Sequence, residues 1–246
     1  MQAIILAAGI GKRLRPLTDE IPKCMVTIKG KPIIYYIMNQ LAQSKKVETV
    51  IIVCGYKAEV IRNYLGQEFE GMKIEYIINE RYESTNNVYS LSLVKDRVVS
   101  DCLLLESDLY YRDDVIGKII DSRGDCNILV SPYNPNTMDG TVVLAEGERA
   151  KSLVVKAHQD GTFAIDSSYK TVNVYRFSRD FFCKKFMPSV ELYVNMGNLN
   201  SYYELVLGSL IYYRNDDIYM TVISEDTWYE IDDINDLERA ELSSWD

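Results

Sequence analysis

Four short strand-like runs, at residues 3–7, 49–54, 73–78 and 101–105, alternate with segments whose apolar residues recur at helical spacing. The helical patterns cover 32–44, 57–65, 87–99 and 113–121, with Pro32 in the first turn of the first. Runs this short, this apolar and this rich in β-branched residues are strands buried on both faces. A strand followed by a helix and another strand pairs parallel with its predecessor, because the crossover has to lie over a sheet face. The first half of the chain is therefore an α/β unit with a mostly parallel sheet and helices on both sides.

After residue 126 the pattern changes. Short strand signals between 126 and 176 are punctuated by Asp139-Gly140, Glu146-Gly147 and Asp160-Gly161, which read as antiparallel hairpins. Helical stretches near 179–187 and 199–213, a strand at 218–223 and a helix at 233–242 follow. No Pro- or Ser-rich linker interrupts the chain. One domain over 1–246, with a small antiparallel insertion at about 126–176, is the simplest organisation.

Composition removes several classes of function. A chain of 246 residues with 47% apolar content folds around its own core and is not disordered. It has no run of 18 apolar residues, so no membrane span is expected. Against 27 Lys and Arg stand 36 Asp and Glu, a net charge of −9. That balance argues against nucleic acid as a partner, since a polyphosphate backbone demands a basic face. It leaves room for a small phosphorylated ligand wherever cations cluster. Cys24, Cys54, Cys102, Cys126 and Cys183 are scattered through mostly apolar stretches and read as reduced core thiols. The chain opens on a strand pattern without the basic and cleavable segments of a secretory signal, which sets a cytoplasmic expectation. A single histidine, His158, makes most zinc sites and a Ser-His-Asp triad unlikely assignments.

The segment after the first strand carries the chemistry. It reads Leu6-Ala7-Ala8-Gly9-Ile10-Gly11-Lys12-Arg13-Leu14-Arg15-Pro16 and continues to Ile21-Pro22-Lys23. Glycines let a loop present its N–H groups to phosphate at close range. Lys12, Arg13, Arg15 and Lys23 concentrate positive charge in an acidic protein, as a triphosphate site requires. A Walker A loop is excluded, because Leu6 stands where its first glycine belongs and Arg13 where its Ser or Thr belongs. On spacing alone, a glycine-rich turn with solvated charges also remains open.

The pattern Leu-Ala-Ala-Gly-x-Gly-x-Arg-Leu-x-Pro-x-Thr, followed by Pro-Lys, strongly resembles the signature of the nucleotidyltransferases that make nucleotide sugars and CDP-alcohols. The resemblance extends over most of the chain, through the acidic end of the fourth strand to Tyr229-Glu230-Ile231-Asp232. It implies a Rossmann-like nucleotidyltransferase fold with a mixed, mostly parallel sheet. It places Leu6, Ala8, Gly9, Gly11 and Lys12 at the nucleotide, Lys12 at a variable position. It makes Arg13 and Lys23 the catalytic cations, with Lys23 on the transferred phosphoryl group.

Leu103-Leu104-Leu105-Glu106-Ser107-Asp108 is a buried strand that ends in acids. Ligands of open α/β sheets bind beyond the carboxyl ends of the strands, and an acid there can hold Mg²⁺ against phosphate. By the resemblance, Asp108 and Asp232 are the metal ligands and Mg²⁺ is the cofactor. Asp233 is the runner-up to Asp232, and it also suits the N-cap of the last helix. Lys156 resembles a second lysine used on the acceptor phosphate, although the flanking Glu and Pro usual in the family are absent here.

The place where sugar-specific relatives carry Gly-Thr-Ala reads Ser84-Thr85-Asn86-Asn87-Val88-Tyr89-Ser90-Leu91. This looks like the branch that activates phosphocholine and 2-aminoethylphosphonate, which implies CTP as donor. The carboxamides of Asn86 and Asn87 can pair with a cytosine edge, and either can equally cap the helix. Tyr202, Tyr203 and Glu204 match an aromatic pair with a nearby acid, suited to a cationic acceptor. Asn200 stands where Asp is usual and Tyr203 where Trp is usual, which keeps a primary amine open beside choline. Tyr133 and Asp139 are further candidates near the acceptor. The expected function is thus Mg²⁺-dependent CMP transfer to a small phosphorylated or phosphonate amine. A sugar-1-phosphate nucleotidyltransferase, a glycosyltransferase and a catalytically dead nucleotide sensor are the alternatives.

Overall fold

A computed structural model describes residues 1–112, 114–159 and 168–245. Its centre is a ten-stranded sheet. From one edge to the other the strands run Val142–Glu146, Arg149–Val154, Tyr219–Val222, Cys126–Pro132, Tyr169–Phe177, Cys102–Glu106, Gln2–Ala7, Thr49–Cys54, Met72–Ile78 and Glu68–Phe69. The four strands expected from the alternation pair parallel, with Ile4 opposite both Ile51 and Leu104. Tyr169–Phe177 runs antiparallel to Cys102–Glu106 and joins the two halves of the sheet.

Period-two alternation assigns each strand residue to a face. Ala3, Ile5 and Ala7 turn to one side and pack with Ile34, Ile37, Met38 and Leu41 of the helix Ile33–Gln43. Ile4 and Leu6 turn to the other, against Val88, Leu91 and the helix Tyr203–Arg214. A third, smaller cluster gathers Leu14, Val26, Ile28, Ile33, Tyr110, Ile231 and Ala240. It fastens the glycine loop to the C-terminal helix Ile234–Glu241. No helix of the described residues is long and apolar enough to cross a membrane. The five cysteines are free, and all but Cys183 are fully buried.

Several element boundaries differ from the sequence pattern. The helix expected over 87–99 is Asn87–Ser92, and the following turns keep Val94 and Val98 in the core. The helix expected over 199–213 begins at Tyr203. The segment after 179 stays helical to Asn195, passing through a π-turn at Phe182–Phe186 whose rings pack around Phe177. The hairpin expected at Glu146-Gly147 joins Val142–Glu146 to Arg149–Val154, whereas the turn expected at Asp160-Gly161 lies outside the described residues. The strands after residue 126 belong to the same continuous sheet as the parallel strands. A two-stranded ribbon, Leu109–Tyr111 with Trp228–Glu230, has no counterpart in the sequence pattern and positions the site.

Candidate active site

The strand Gln2–Ala7 is the middle strand of the parallel set and releases the glycine loop at its carboxyl end. Gly11 sits at φ 71°, a left-handed conformation. A Cβ there would come within 2.9 Å of Lys23 Cβ and 3.2 Å of Thr18 Cγ2, and the Thr18 hydroxyl donates to the Gly11 carbonyl at 2.8 Å. The loop is thus pressed onto the base of Lys23. A short 3₁₀ turn, Lys12–Leu14, then plants Leu14 in the third cluster and leaves Arg13 facing the site. A second 3₁₀ turn, Lys23–Met25, buries Cys24 and Met25 behind Lys23. Gly11→Ala is expected to cost about 1–2 kcal/mol, because an L-residue resists this φ. Tm should fall by roughly 2–8 °C, read by thermal denaturation. Gly9→Ala, whose Cβ meets nothing within 4 Å, should leave Tm unchanged.

Asp108 follows the strand Cys102–Glu106 at the turn into Leu109–Tyr111, and Asp232 follows Trp228–Glu230. The ribbon pairs Glu230 with Leu109, and the Ile231 N–H donates to the Asp108 carbonyl at 2.9 Å. This brings the two carboxylates onto one cation. Lys23 Nζ lies 2.5 Å from Asp108 Oδ2 and 2.6 Å from Asp232 Oδ1, while Arg13 Nη2 lies 2.8 Å from Asp232 Oδ1. Burial opposes the charge of Lys23, but the two carboxylates outweigh it and hold the ammonium above its usual range. For Asp232 burial acts upward, and Lys23 with Arg13 brings the carboxyl below its usual range. Asp233 points elsewhere. Its side chain accepts from the backbone of Asn235 and Asp236 in a capping box that starts the last helix.

Three cavities adjoin at Glu106, and two of them reach Asp108 and Asp232. One of about 410 Å³ is lined by the glycine loop, Lys12, Arg13, Lys23, Asp108 and Asp232. A second, of about 160 Å³, is bounded by Leu6, Ala8, Gly9, Asn79, Asn86 and Asn87. The third, about 790 Å³, extends over the strands after residue 126 and includes Asp139, Thr141, Lys156, Lys170, Tyr202, Glu204 and Glu230. Glu106 lines all three. A larger cavity, about 910 Å³, lies between Tyr35, Tyr110, Arg112 and Trp245 and contains none of the candidate residues.

The two asparagines do different things. Asn86 caps the helix Asn87–Ser92, its Oδ1 accepting from the Asn87 N–H at 2.7 Å. The Asn87 carboxamide is turned by the Tyr203 N–H, which donates to its Oδ1 at 3.0 Å. Its Nδ2 then donates to Glu106 at 3.2 Å and to Glu204 at 3.4 Å. Tyr202 lines the large chamber, but Tyr203 does not: its ring is fully buried and packs edge-on against Tyr175 at 5.5 Å. Glu204 lines the chamber, and burial pushes its carboxyl up to about 7 against the opposing Asn87 hydrogen bond. Burial, then Asp108 and Glu204, raises Glu106 well above the carboxylate range. Lys156 is on the rim, its side chain 68% exposed and paired with Asp139. Tyr133 and Asn200 do not line the chamber.

Sequence reasoning missed Lys170, Glu230, Asn173 and Thr141. Lys170 is 1% exposed, with Nζ 3.1 Å from Glu230 Oε2 and 2.9 Å from the Thr171 carbonyl. Asn173 Nδ2 donates to Glu230 Oε1 at 2.9 Å. A usable signal existed: Lys170 shares strand parity with the core residues Val172 and Val174, so its ammonium had to be paired inside.

Asp108 Oδ1 is buried and has no hydrogen-bond partner among the described residues. Together with Asp232 it offers an all-oxygen donor pair, which fits Mg²⁺, a cation that takes one or two carboxylates and completes its shell with phosphate and water. Among the described residues no group of three or more His, Cys, Asp and Glu is arranged to hold a metal by itself.

Comparison with known proteins places the chain in a family. The chain is 29% identical over 98% of its length to CMP-5'-(3-aminopropyl)phosphonate synthase of Streptomyces rubellomurinus, of which it spans 38%. It is also 29% identical over 97% of its length to CTP:phosphoglutamine cytidylyltransferase of Campylobacter jejuni, of which it spans 98%. The solved CTP:phosphocholine cytidylyltransferase of Streptococcus pneumoniae superposes with a TM-score of 0.77 at 24% identity, covering 98% of this chain and 97% of that one. The model of the nucleotidyl transferase family matches residues 2–241, and the chain belongs to that family.

Proposed function

We propose that the protein transfers CMP from CTP to a small phosphorylated or phosphonate amine and releases pyrophosphate. The observation that carries this reading is Lys23, held between Asp108 and Asp232 where the glycine-loop cavity opens into an acid-lined chamber. The loop N–H groups and Arg13 hold the triphosphate, and Lys23 faces the α-phosphoryl group. An acceptor oxygen attacks the α-phosphorus, and the bond to the bridging oxygen of pyrophosphate breaks. The acceptor oxygen is already ionised, so no general base is needed. Bound at Asp108 and Asp232, Mg²⁺ would neutralise charge on the phosphoryl oxygens. Asn86 borders the small cavity beside the loop with its Nδ2 unengaged among the described residues, a donor for a cytosine edge. The names of two relatives, one a CMP-5'-(3-aminopropyl)phosphonate synthase and one a CTP:phosphoglutamine cytidylyltransferase, support the donor and the acceptor class.

The test is pyrophosphate release with each nucleoside triphosphate and a panel of acceptors. CTP with 2-aminoethylphosphonate, phosphoethanolamine or phosphocholine should be productive. Faster turnover of glucose-1-phosphate, with any nucleotide, would reject the reading.

A further inference from the structure

The chamber beyond the carboxylates contains a buried acid that makes no ion pair among the described residues. Glu204 is 6% exposed, in the first turn of the helix Tyr203–Arg214. Three cations line the same chamber, and each is committed to another acid: Arg13 to Asp232, Lys156 to Asp139 and Lys170 to Glu230. Glu204 accepts from the Asn87 amide at 3.4 Å and from its own backbone N–H, and forms no ion pair among the described residues. Buried carboxylates are ordinarily paired, so an unpaired one facing a ligand chamber calls for a cation from outside. Its placement is also selective. Glu106 borders the triphosphate cavities, whereas Glu204 borders only the large chamber.

A second feature points the same way. Thr141, 7% exposed, is among the residues that line this chamber and adds a hydroxyl to its polar lining. The aromatic surface is small: Tyr202 is the only aromatic side chain among the described residues that line the chamber.

Resting on the cytidylyltransferase reading, we propose that Glu204 is the counter-ion of a primary ammonium on the acceptor. The chamber accordingly selects an aminoalkyl phosphonate or phosphate over its trimethylammonium analogue. A primary ammonium brings three donors and meets a carboxylate and a hydroxyl. A trimethylammonium has no donor and depends on aromatic faces, of which the chamber offers one.

The experiment compares kcat/KM with CTP for 2-aminoethylphosphonate, its N,N,N-trimethyl derivative and ethylphosphonate, in the wild type and in Glu204→Gln. In the wild type the primary amine should exceed ethylphosphonate by on the order of 10–100-fold, the scale of a charged hydrogen bond. It should exceed the trimethyl derivative too. In Glu204→Gln the advantage of the amine over ethylphosphonate should collapse to about threefold or less, through acceptor KM, with KM for CTP unchanged. A variant that loses the same factor with both acceptors would show Glu204 to be structural and overturn the proposal. So would a wild type that prefers the trimethyl derivative. The wild-type comparison needs no variant, so poor folding of Glu204→Gln leaves the proposal testable. A wild type that uses none of these acceptors with CTP would instead bring down the cytidylyltransferase reading itself.

Discussion

Lys23→Ala should lower kcat by on the order of 10²–10³, the effect of removing one preorganised charge from a transition state, about 3–4 kcal/mol. KM for the triphosphate should move by only a few fold, because the glycine loop and Arg13 still hold it. The structure adds a second consequence. With the ammonium gone, Asp108 and Asp232 face each other without the cation that now lies 2.5 and 2.6 Å from them. Removing one member of a buried charge cluster typically costs about 3–5 kcal/mol, so Tm should fall as well. Steady-state kinetics together with thermal denaturation separates the two effects. A variant with raised KM and unchanged kcat would make Lys23 a ground-state binder.

Asp108→Asn should reduce turnover by about 10³ or more, since metal charge at a phosphoryl centre contributes several kcal/mol. Its effect on folding should be smaller than that of Lys23→Ala. Asp108 Oδ1 makes no hydrogen bond among the described residues, and Lys23 retains Asp232. Excess EDTA should abolish wild-type activity, and added Mg²⁺ should restore it. Full activity in EDTA would remove Asp108 and Asp232 from any metal role.

The parallel half of the sheet was legible because its signal is local. Six-residue strands and the helices between them carry their own periodicity, and residues 3–7 and 49–54 need no distant partner to be read. The glycine loop was legible for the same reason, its chemistry lying within one stretch. What was not legible depends on distant contacts. The ribbon strands Leu109–Tyr111 and Trp228–Glu230 are three residues each, too short to show a period. The start of the helix at Tyr203 is set by the Asn87 side chain, which accepts the Tyr203 N–H from 116 positions away. Tyr203 looked like half of an aromatic pair because Tyr202 and Tyr203 are adjacent, but a backbone entering a helix sends neighbouring side chains in different directions. Lys156 drew attention by its resemblance, whereas Lys170, the buried lysine of the chamber, is marked in the sequence only by its strand parity with Val172 and Val174.

Lys23 reaches 85 positions along the chain to Asp108 and 209 positions to Asp232. Contacts this far apart form late, because the loop they close must be ordered before they add stability. During synthesis, a chain halted between residues 108 and 232 already carries the glycine loop, the lysine and the first acid. The second acid, and with it half of the carboxylate pair around Lys23, is still missing. The catalytic centre is therefore a property of the finished chain. Until the ribbon Leu109–Tyr111 with Trp228–Glu230 closes, Asp232 is not held against Lys23, and the cluster of Arg13, Lys23, Asp108 and Asp232 is incomplete.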